Sequence, residues 1–233
     1  MLGQKRGIEV AIAGCKMRLH PAFCTQNWEK VEAESYGLFA AAVRPGAVVF
    51  DIGAHIGTYT LVAAKKTGPT GRIVAYEPHD YTREHLQRHL RWNGADAQTT
   101  VRDVCCGASE GSADFYNIPG QAEGMNGLVP VHGFQKRAVK VVPLDKEVAD
   151  LVFVPDIIKI DVEGAEWDVL KGAEKTLERN HPILFLSLHP HALAIRGESP
   201  EVILDWLEQR GYSQEVIARD HEIHVVARWE FRP

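Results

Sequence analysis

The sequence has few cysteines, no long apolar run and no excess of positive charge. Its 233 residues include four cysteines, too few for a disulfide scaffold, which indicates a reducing, cytoplasmic setting. No stretch approaches the roughly 18 apolar residues that span a membrane, and the first residues lack the apolar block of a signal peptide. The net charge of −5 offers no general attraction to nucleic acid. We therefore expect a soluble protein with no membrane span and no nucleic-acid partner.

The chain also lacks any linker, internal repeat or low-complexity segment that would divide it. With 45% hydrophobic and 24% charged residues, it has enough apolar side chains for one sizeable core. We predict an N-terminal hairpin and helix cap over residues 1–45 and a single compact domain over residues 46–233.

Apolar periodicity predicts the order of strands and helices. Ile8, Val10 and Ile12 alternate with other residues before a turn, as in a half-buried β-hairpin, and a helix is predicted over residues 27–42. From residue 47 onward apolar strands alternate with helices, which indicates parallel βαβ units. In this part, residues 99–106 are predicted to form one strand and residues 165–179 one helix.

Two segments depart from the βα alternation. Residues 112–116 and 138–144 look like strands with no helix between them, which indicates an inserted β ribbon. The chain ends in two further strand-like segments that meet at Asp220 and His221 and predict a closing hairpin.

The first candidate binding segment is DIGAHIG, residues 51–57, at a strand-to-helix junction. Gly53 permits a tight turn and Gly57 a close approach of helix and strand, so backbone N–H groups can face a polar ligand. His55 stands where the dinucleotide fingerprint needs its second glycine, which disfavours a pyrophosphate. Asp51 repels phosphate but can pair with a cation. A cofactor with a sulfonium and an α-amino group suits both features.

Acidic residues near the ends of the next two strands indicate an adenosine group. Glu77 follows the glycine segment by about twenty residues, a spacing at which a carboxylate accepts hydrogen bonds from two ribose hydroxyls. Asp103 could accept a hydrogen bond from an adenine amino group. Both residues could instead be solvated side chains at the sheet edge.

A charged cluster is predicted where the fourth core strand ends. Lys159, Asp161 and Glu163 alternate and so share one face of the extended chain, where Lys159 could neutralise a carboxylate. Such a cluster can act as a base, hold a metal or anchor an amino group, whereas Glu166 is interpreted as stabilising the following helix start. His189, at the end of the fifth strand, could accept a proton or simply form a local hydrogen bond.

These segments resemble the FkbM family of S-adenosylmethionine-dependent methyltransferases. The resemblance lies in DIGAHIG, YEP and KIDVEGAE with its continuation LKGAEKTLERNHPILFLSLH, and it covers residues 48–189. It implies an α/β, Rossmann-like class I methyltransferase fold, with a mostly parallel, doubly wound sheet and an antiparallel C-terminal strand. The N-terminal β hairpin and the inserted β ribbon would be added to that sheet.

The resemblance also implies roles for individual residues. Asp51, Gly53, Ala54 and Gly57, with the neighbouring His55, would line the methionine end of the cofactor. Glu77 would bind the ribose, and Asp103 and Val104 would bind the adenine. Asp161 would lie beside the reacting methyl group, and Asp161 or His189 would accept the substrate proton as the catalytic residue.

Two positions depart from the family pattern. His55 stands where asparagine is common, which changes little because both residues are polar. Ser187 stands where a glutamate often precedes the final histidine, so the carboxylate beside His189 is missing. For that reason no metal ligand is assigned from the sequence, and a metal requirement stays open.

The function that the resemblance implies is S-adenosylmethionine-dependent O-methylation of a hydroxyl on a small molecule, such as a sugar, a polyketide or a related metabolite. S-adenosylhomocysteine would be the product. One alternative is a non-catalytic S-adenosylmethionine-binding partner subunit. A second, an NAD-dependent oxidoreductase, is disfavoured by the missing fingerprint glycine. The exposed edge of the N-terminal hairpin could also pair with a second copy in a homodimer.

Overall fold

The computed structural model describes residues 7–122 and 124–230. The outer ends of the two predicted domains, residues 1–6 and 231–233, lie outside the described residues, and the division between those domains stays a prediction. The strands are β1 (Ile8–Ile12), β2 (Cys15–Leu19), β3 (Val48–Ile52), β4 (Arg72–Tyr76), β5 (Thr99–Arg102), β6 (Cys105–Cys106), β7 (Gly111–Asn117), β8 (Gln135–Val142), β9 (Ile157–Ile160), β10 (Ile183–Leu188), β11 (Tyr212–Arg219) and β12 (Ile223–Trp229). The helices are α1 (Ala33–Ala42), α2 (Thr58–Thr67), α3 (Asp80–Asn93), α4 (Leu144–Leu151), α5 (Glu166–Lys171), α6 (Glu174–Asn180), α7 (Pro190–Ile195) and α8 (Pro200–Gln209), with short 3-10 turns at Pro21–Phe23 and Asp96–Gln98.

The centre of the fold is a seven-stranded sheet with the order β11-β12-β10-β9-β3-β4-β5. Strands β3, β4, β5, β9 and β10 run parallel, and β12 pairs antiparallel with both β10 and β11. All four residues of β9 are buried, as is typical of a strand covered on both faces. The mostly parallel sheet with an antiparallel C-terminal strand is therefore confirmed.

Apolar clusters cover both faces of this sheet. On one face Phe39 of α1 and Leu61 of α2 pack with residues of α3 and of the β1–β2 hairpin. On the other face Leu170 of α5, Leu177 of α6 and Leu207 of α8 pack together. Helices on both faces make the fold doubly wound. Among the described residues, no helix combines the length and apolarity that crossing a bilayer requires.

The N-terminal hairpin forms as predicted, with β1 and β2 antiparallel. It is attached to α3 by hydrogen bonds. The backbone N–H of Arg18 donates to Asn93 Oδ1 at 2.9 Å, and Asn93 Nδ2 donates back to the Arg18 carbonyl at 2.9 Å. The N–H of His20 donates to His89 Nε2 at 2.8 Å.

The inserted ribbon is also confirmed, because β7 and β8 pair antiparallel in a second sheet of order β6-β8-β7. The prediction of one strand over residues 99–106 is wrong. β5 ends at Arg102, the chain bends at Val104, and Cys105 and Cys106 pair with Val141 and Val142 of β8. Cys105 and Cys106 therefore belong to the second sheet, beside β8, and do not continue β5.

The predicted helix over residues 27–42 is wrong in its first third. Residues 28–32 form turns, and α1 begins only at Ala33. Asn27 Oδ1 accepts the N–H of Glu29 at 3.1 Å, which favours a turn, and Glu32 has a left-handed backbone with φ of 45°.

The predicted helix over residues 165–179 is divided into α5 and α6. Gly172 packs so closely on Gly107 that an added Cβ would lie 2.1 Å from the Gly107 carbonyl oxygen. Asp145 of α4 then accepts the N–H groups of Lys175 and Thr176 at 3.0 and 2.8 Å. A side chain distant in sequence therefore starts the second helix.

Candidate active site

The loop after β3 depends on Gly53. This glycine has φ of 79°, and an added Cβ would lie 1.7 Å from the carbonyl oxygen of Asp161. The N–H groups of Gly53 and Ala54 both donate to the carbonyl of Tyr76, at 3.1 and 3.0 Å. The ends of β3, β4 and β9 are therefore in direct backbone contact at this point.

The same loop ends in the close packing that was predicted for Gly57. Its φ is 89°, and an added Cβ would lie 2.2 Å from Leu86 Cδ1 of α3. His89 of α3 supports the loop from behind, since its Nδ1 lies 2.9 Å from the carbonyl of Ile56. His55 has a left-handed backbone with φ of 51°, and burial lowers the pKa of its side chain.

Glu77 is buried, with 6% of its surface exposed, so the alternative of a solvated glutamate is wrong. Its Oε2 accepts the N–H of His55 and its Oε1 accepts the N–H of His79, both at 2.8 Å. Burial raises the pKa of Glu77, although the two N–H groups oppose that effect. The carboxylate is thus held in one orientation and keeps further lone pairs for a ligand.

A small apolar cavity of about 40 Å³ is lined by Tyr76 and Pro78, the chain neighbours of Glu77. Its lining comes from the ends of β3, β4 and β9, from the chain after β5, and from the inserted segment, residues 118–134 between β7 and β8. Gly53, Pro78, Val104, Leu128 and Val162 are among the lining residues. Val104 is buried there, whereas the side chain of Asp103 is exposed. The apolar surroundings of Val104 therefore suit its predicted contact with adenine. For Asp103, only its position in the chain supports the predicted contact.

Lys159 and Asp161 form the predicted ion pair. Lys159 Nζ lies 2.9 Å from Asp161 Oδ2 and 4.0 Å from Asp51 Oδ1. Burial lowers the pKa of Lys159, but the two carboxylates raise it more, and its net shift is upward. Asp51 is completely buried and also accepts a hydrogen bond from the Thr60 hydroxyl. It therefore anchors Lys159 beneath the loop.

His189 Nε2 faces three carboxylates. Glu222 Oε2 lies 3.3 Å from it, Glu163 Oε2 3.5 Å and Asp161 Oδ1 3.7 Å. Burial lowers the pKa of His189, but the surrounding carboxylates, led by Glu166, raise it to about 10. Burial and the neighbouring acids raise the pKa of Glu163 to about 8. These groups form an acidic pocket around the ring.

The opposite ring nitrogen of His189 is held by Glu166. Its Nδ1 lies 2.8 Å from Glu166 Oε1, which also accepts the N–H of Gly164 at 2.9 Å. Glu166 is completely buried. Besides lying in the first turn of α5, as the sequence indicated, it positions His189.

Sequence reasoning missed two groups of residues that face this pocket. Glu222 and His224 come from the closing hairpin, where the only signal is an acid and a histidine two positions apart in an apolar strand. Tyr59 lies under Lys159, with Nζ 4.8 Å from its ring centroid, and its hydroxyl donates to Glu32 Oε2 at 2.9 Å. No pattern links Glu32 to this site in the sequence.

The inserted segment reaches both sides of the site. Asn126 Nδ2 lies 3.2 Å from His79 Nδ1. Gly127 packs closely on Glu163, so that an added Cβ would lie 3.1 Å from Glu163 Cβ, tighter than an ordinary contact. Glu123 of this segment lies outside the described residues. The segment over residues 118–134 thus borders the cavity and the acidic pocket together.

Comparison with known proteins finds methyltransferases. A family model described as the methyltransferase FkbM domain matches residues 51–213. The hexuronic acid methyltransferase AglP of Haloferax volcanii is 28% identical over 184 residues, which are 78% of this chain and 70% of AglP. The methyltransferase sdnD of Sordaria araneosa is 31% identical over 163 residues, which are 54% of this chain and 60% of sdnD.

The fold matches solved methyltransferases as well. The crystal structure of methyltransferase FkbM from Methylobacillus flagellatus KT superposes with a TM-score of 0.55 at 20% identity, over 78% of this chain and 43% of that one. The chain therefore spans less than half of that crystallised protein. With its family domain matched over more than half its length and its class I methyltransferase fold, the chain belongs to the FkbM family of methyltransferases.

Proposed function

We propose that this chain is an S-adenosylmethionine-dependent O-methyltransferase that acts on a hydroxyl group of a small molecule. The observation that carries the proposal is the orientation of Glu77. Its buried carboxylate is fixed by the N–H groups of His55 and His79 at the carboxyl end of β4. A carboxylate at that point of a parallel sheet suits a pair of ribose hydroxyls.

The residues around Glu77 fit the rest of the cofactor. Pro78 and Val104 provide apolar walls for a flat adenine ring, for which the small cavity between them would have to widen. Gly53 keeps the loop free of a side chain, and the partly exposed carboxylate of Asp161 can attract the positively charged methionine end, whereas Asp51 lies buried beneath the loop beside Lys159. When bound, S-adenosylmethionine supplies an activated methyl group.

Asp161 is the residue that we propose accepts the proton of the substrate hydroxyl. Lys159 holds its Oδ2 at 2.9 Å, which leaves Oδ1 directed toward His189 Nε2 at 3.7 Å. His189 is the second candidate; its ring is fixed by Glu166, and with a pKa of about 10 it would have to lose its own proton before accepting another. Most of the rate acceleration would come from the positioning of the substrate hydroxyl by Asp161.

The acceptor screen is best begun with sugars. AglP, which is similar to 78% of this chain, is named as a hexuronic acid methyltransferase. Uronic acids and neutral sugars with free hydroxyls therefore form the first panel, and polyketide alcohols form the second.

The test is calorimetric titration of the purified protein with S-adenosylhomocysteine. We expect binding in the micromolar range that Glu77→Ala weakens at least tenfold, because the ribose hydroxyls lose their acceptor. The matched control is Glu84→Ala, which removes an exposed glutamate from the neighbouring helix α3. NAD serves as the comparison ligand.

Two results would contradict the proposal. One is the absence of S-adenosylhomocysteine binding by a folded protein, and the other is tighter binding of NAD. If the cofactor analogue binds but no acceptor in either panel is methylated, the non-catalytic partner subunit becomes the better interpretation.

A further inference from the structure

The acidic pocket brings three metal-ligating side chains together from three neighbouring strands. Asp161 follows β9, His189 follows β10 and Glu222 precedes β12. One ligand atom from each residue lies within 4.8 Å of the others. One imidazole and two carboxylates at such a distance match the donor set of a divalent cation site.

Glu222 provides an independent indication of a missing ligand. Only 8% of its surface is exposed, yet Oε2 accepts no hydrogen bond from any residue in the described part of the chain. That oxygen lies 3.3 Å from His189 Nε2 and is directed into the pocket. His224 Nε2, 3.7 Å from the other oxygen of Glu222, is likewise buried without a hydrogen bond among the described residues.

His189 is arranged as metal-ligating histidines usually are. Its Nδ1 is 2.8 Å from the buried carboxylate of Glu166, which fixes the tautomer with the proton on Nδ1. A metal ion bound here would replace the proton on Nε2, and the lone pair of Nε2 would then be directed toward Asp161 and Glu222. A lone pair among carboxylates is repulsive unless a cation lies between them, and the cation can be a proton or a metal ion.

We propose that Asp161, His189 and Glu222 bind one divalent cation that suits both carboxylate and imidazole ligands, such as Mn²⁺. Glu166 is a positioning residue for His189. Three protein ligands leave coordination positions open. If the proposed function holds, the cation would bind and polarise the acceptor hydroxyl, and Asp161 Oδ2, the oxygen beside Lys159, would be the one left to accept its proton.

The experiment uses Mn²⁺ as the probe on the full chain after treatment with a chelator. Calorimetry and electron paramagnetic resonance should show one saturable Mn²⁺ per chain. We expect Glu222→Gln to abolish that binding at millimolar Mn²⁺, and Glu166→Gln to weaken it about 10- to 100-fold through the loss of histidine orientation. Glu215→Gln, at an exposed position on the same hairpin, is the matched control and should bind as the wild type does.

Each variant is also titrated with S-adenosylhomocysteine without metal, and its folding is checked by thermal unfolding. Mn²⁺ binding that is lost only in folded Glu222→Gln and weakened in Glu166→Gln supports the site. No saturable Mn²⁺ binding, or equal binding by wild type and Glu222→Gln, overturns it and leaves a proton as the occupant. Because S-adenosylhomocysteine binding is measured separately, failure of the metal site is distinguishable from failure of the proposed function.

Discussion

The carboxyl edge of the sheet has two halves that are built differently. The glycine-loop half consists of Gly53, Gly57, Glu77 and Val104, and the carboxylate half of Asp161, Glu163, His189 and Glu222. In the glycine-loop half backbone groups hold the site, since both oxygens of Glu77 accept backbone N–H groups. In the carboxylate half side chains contact side chains around the His189 ring.

This difference predicts different sensitivities. Backbone groups in close contact leave no room for an added atom, so the glycine-loop half should respond most to changes of volume. The carboxylate half has buried charges whose mutual effects raise or lower each pKa, so it should respond most to changes of charge at constant volume. Each of the following predictions tests one side of this contrast.

The largest effect is expected for Gly53→Ala. The new Cβ would lie 1.7 Å from the Asp161 carbonyl oxygen. Steric clash and left-handed strain together should lower the free energy of unfolding by about 3 kcal/mol or more. Chemical denaturation measures this loss, and calorimetry should show that S-adenosylhomocysteine binding is lost in any protein that remains folded.

Gly46→Ala is the matched control for this change. Gly46 has the same φ of 79°, but an added Cβ would meet only Thr70 Oγ1 at 3.6 Å. Strain alone should cost about 1 kcal/mol. If both variants lost the same free energy of unfolding, the Asp161 carbonyl would have moved aside. The close contact at Gly53 would then contribute nothing beyond the backbone strain.

The next effect is a loss of turnover in Asp161→Asn, which removes charge and keeps volume. We expect turnover to fall about 100-fold or more, because the hydroxyl loses its proton acceptor. Cofactor affinity should change less, since Asp51 still pairs with Lys159 and Glu77 is untouched. Initial rates at saturating cofactor, with the acceptor found in the screen, measure the first quantity, and titration with S-adenosylhomocysteine measures the second.

Asp205→Asn, at an exposed position on α8, is the control for charge removal in Asp161→Asn. It should leave both quantities unchanged. If Asp161→Asn kept wild-type turnover, Asp161 would have no part in the proton transfer, and His189 would be the remaining candidate.

The same contrast explains what the sequence could predict. The glycine-loop half lies in two short segments whose spacing is visible in the chain, so Gly53, Gly57 and Glu77 were identified as candidates. The parallel sheet could be predicted because apolar strands and helices alternate regularly. Asp161 and His189 were found because each ends an apolar strand.

The rest of the carboxylate half depends on contacts that no local pattern contains. Glu222 reaches His189 because Leu188 of β10 pairs with Ile223 of β12, a register that the sequence does not specify. Glu32 has a left-handed backbone at the start of α1 and accepts a hydrogen bond from Tyr59. The helix prediction over residues 27–42 failed at that point because periodicity takes no account of such a tertiary contact.

The smallest effect is a loss of stability at acidic pH, and it comes from His89, which supports the loop after β3. Burial lowers the pKa of His89 from its ordinary value of 6.5 to about 4, with His85, His20 and Arg88 adding to the shift and the Ile56 carbonyl opposing it. The unfolded chain therefore binds a proton at His89 between about pH 6.5 and pH 4, whereas the folded chain does not. Stability from this group is complete above pH 6.5 and decreases as the pH falls. Between pH 7 and pH 5 the free energy of unfolding should lose about 2 kcal/mol through His89.

His89→Gln isolates this contribution, because other histidines also titrate in the same range and the pKa of His189 shifts in the opposite direction. Glutamine keeps a donor for the Ile56 carbonyl and an acceptor for the His20 N–H but has no titrating ring. Denaturation curves at pH 7 and pH 5 should therefore differ less for the variant than for the wild type.

Since His89 supports the loop that orients Glu77, affinity for S-adenosylhomocysteine should follow the same pH dependence in the wild type. If the free energy of unfolding of His89→Gln kept the pH dependence of the wild type, His89 would be protonated in the folded chain without disturbing the loop. The glycine-loop half would then tolerate a buried charge, which its close packing argues against.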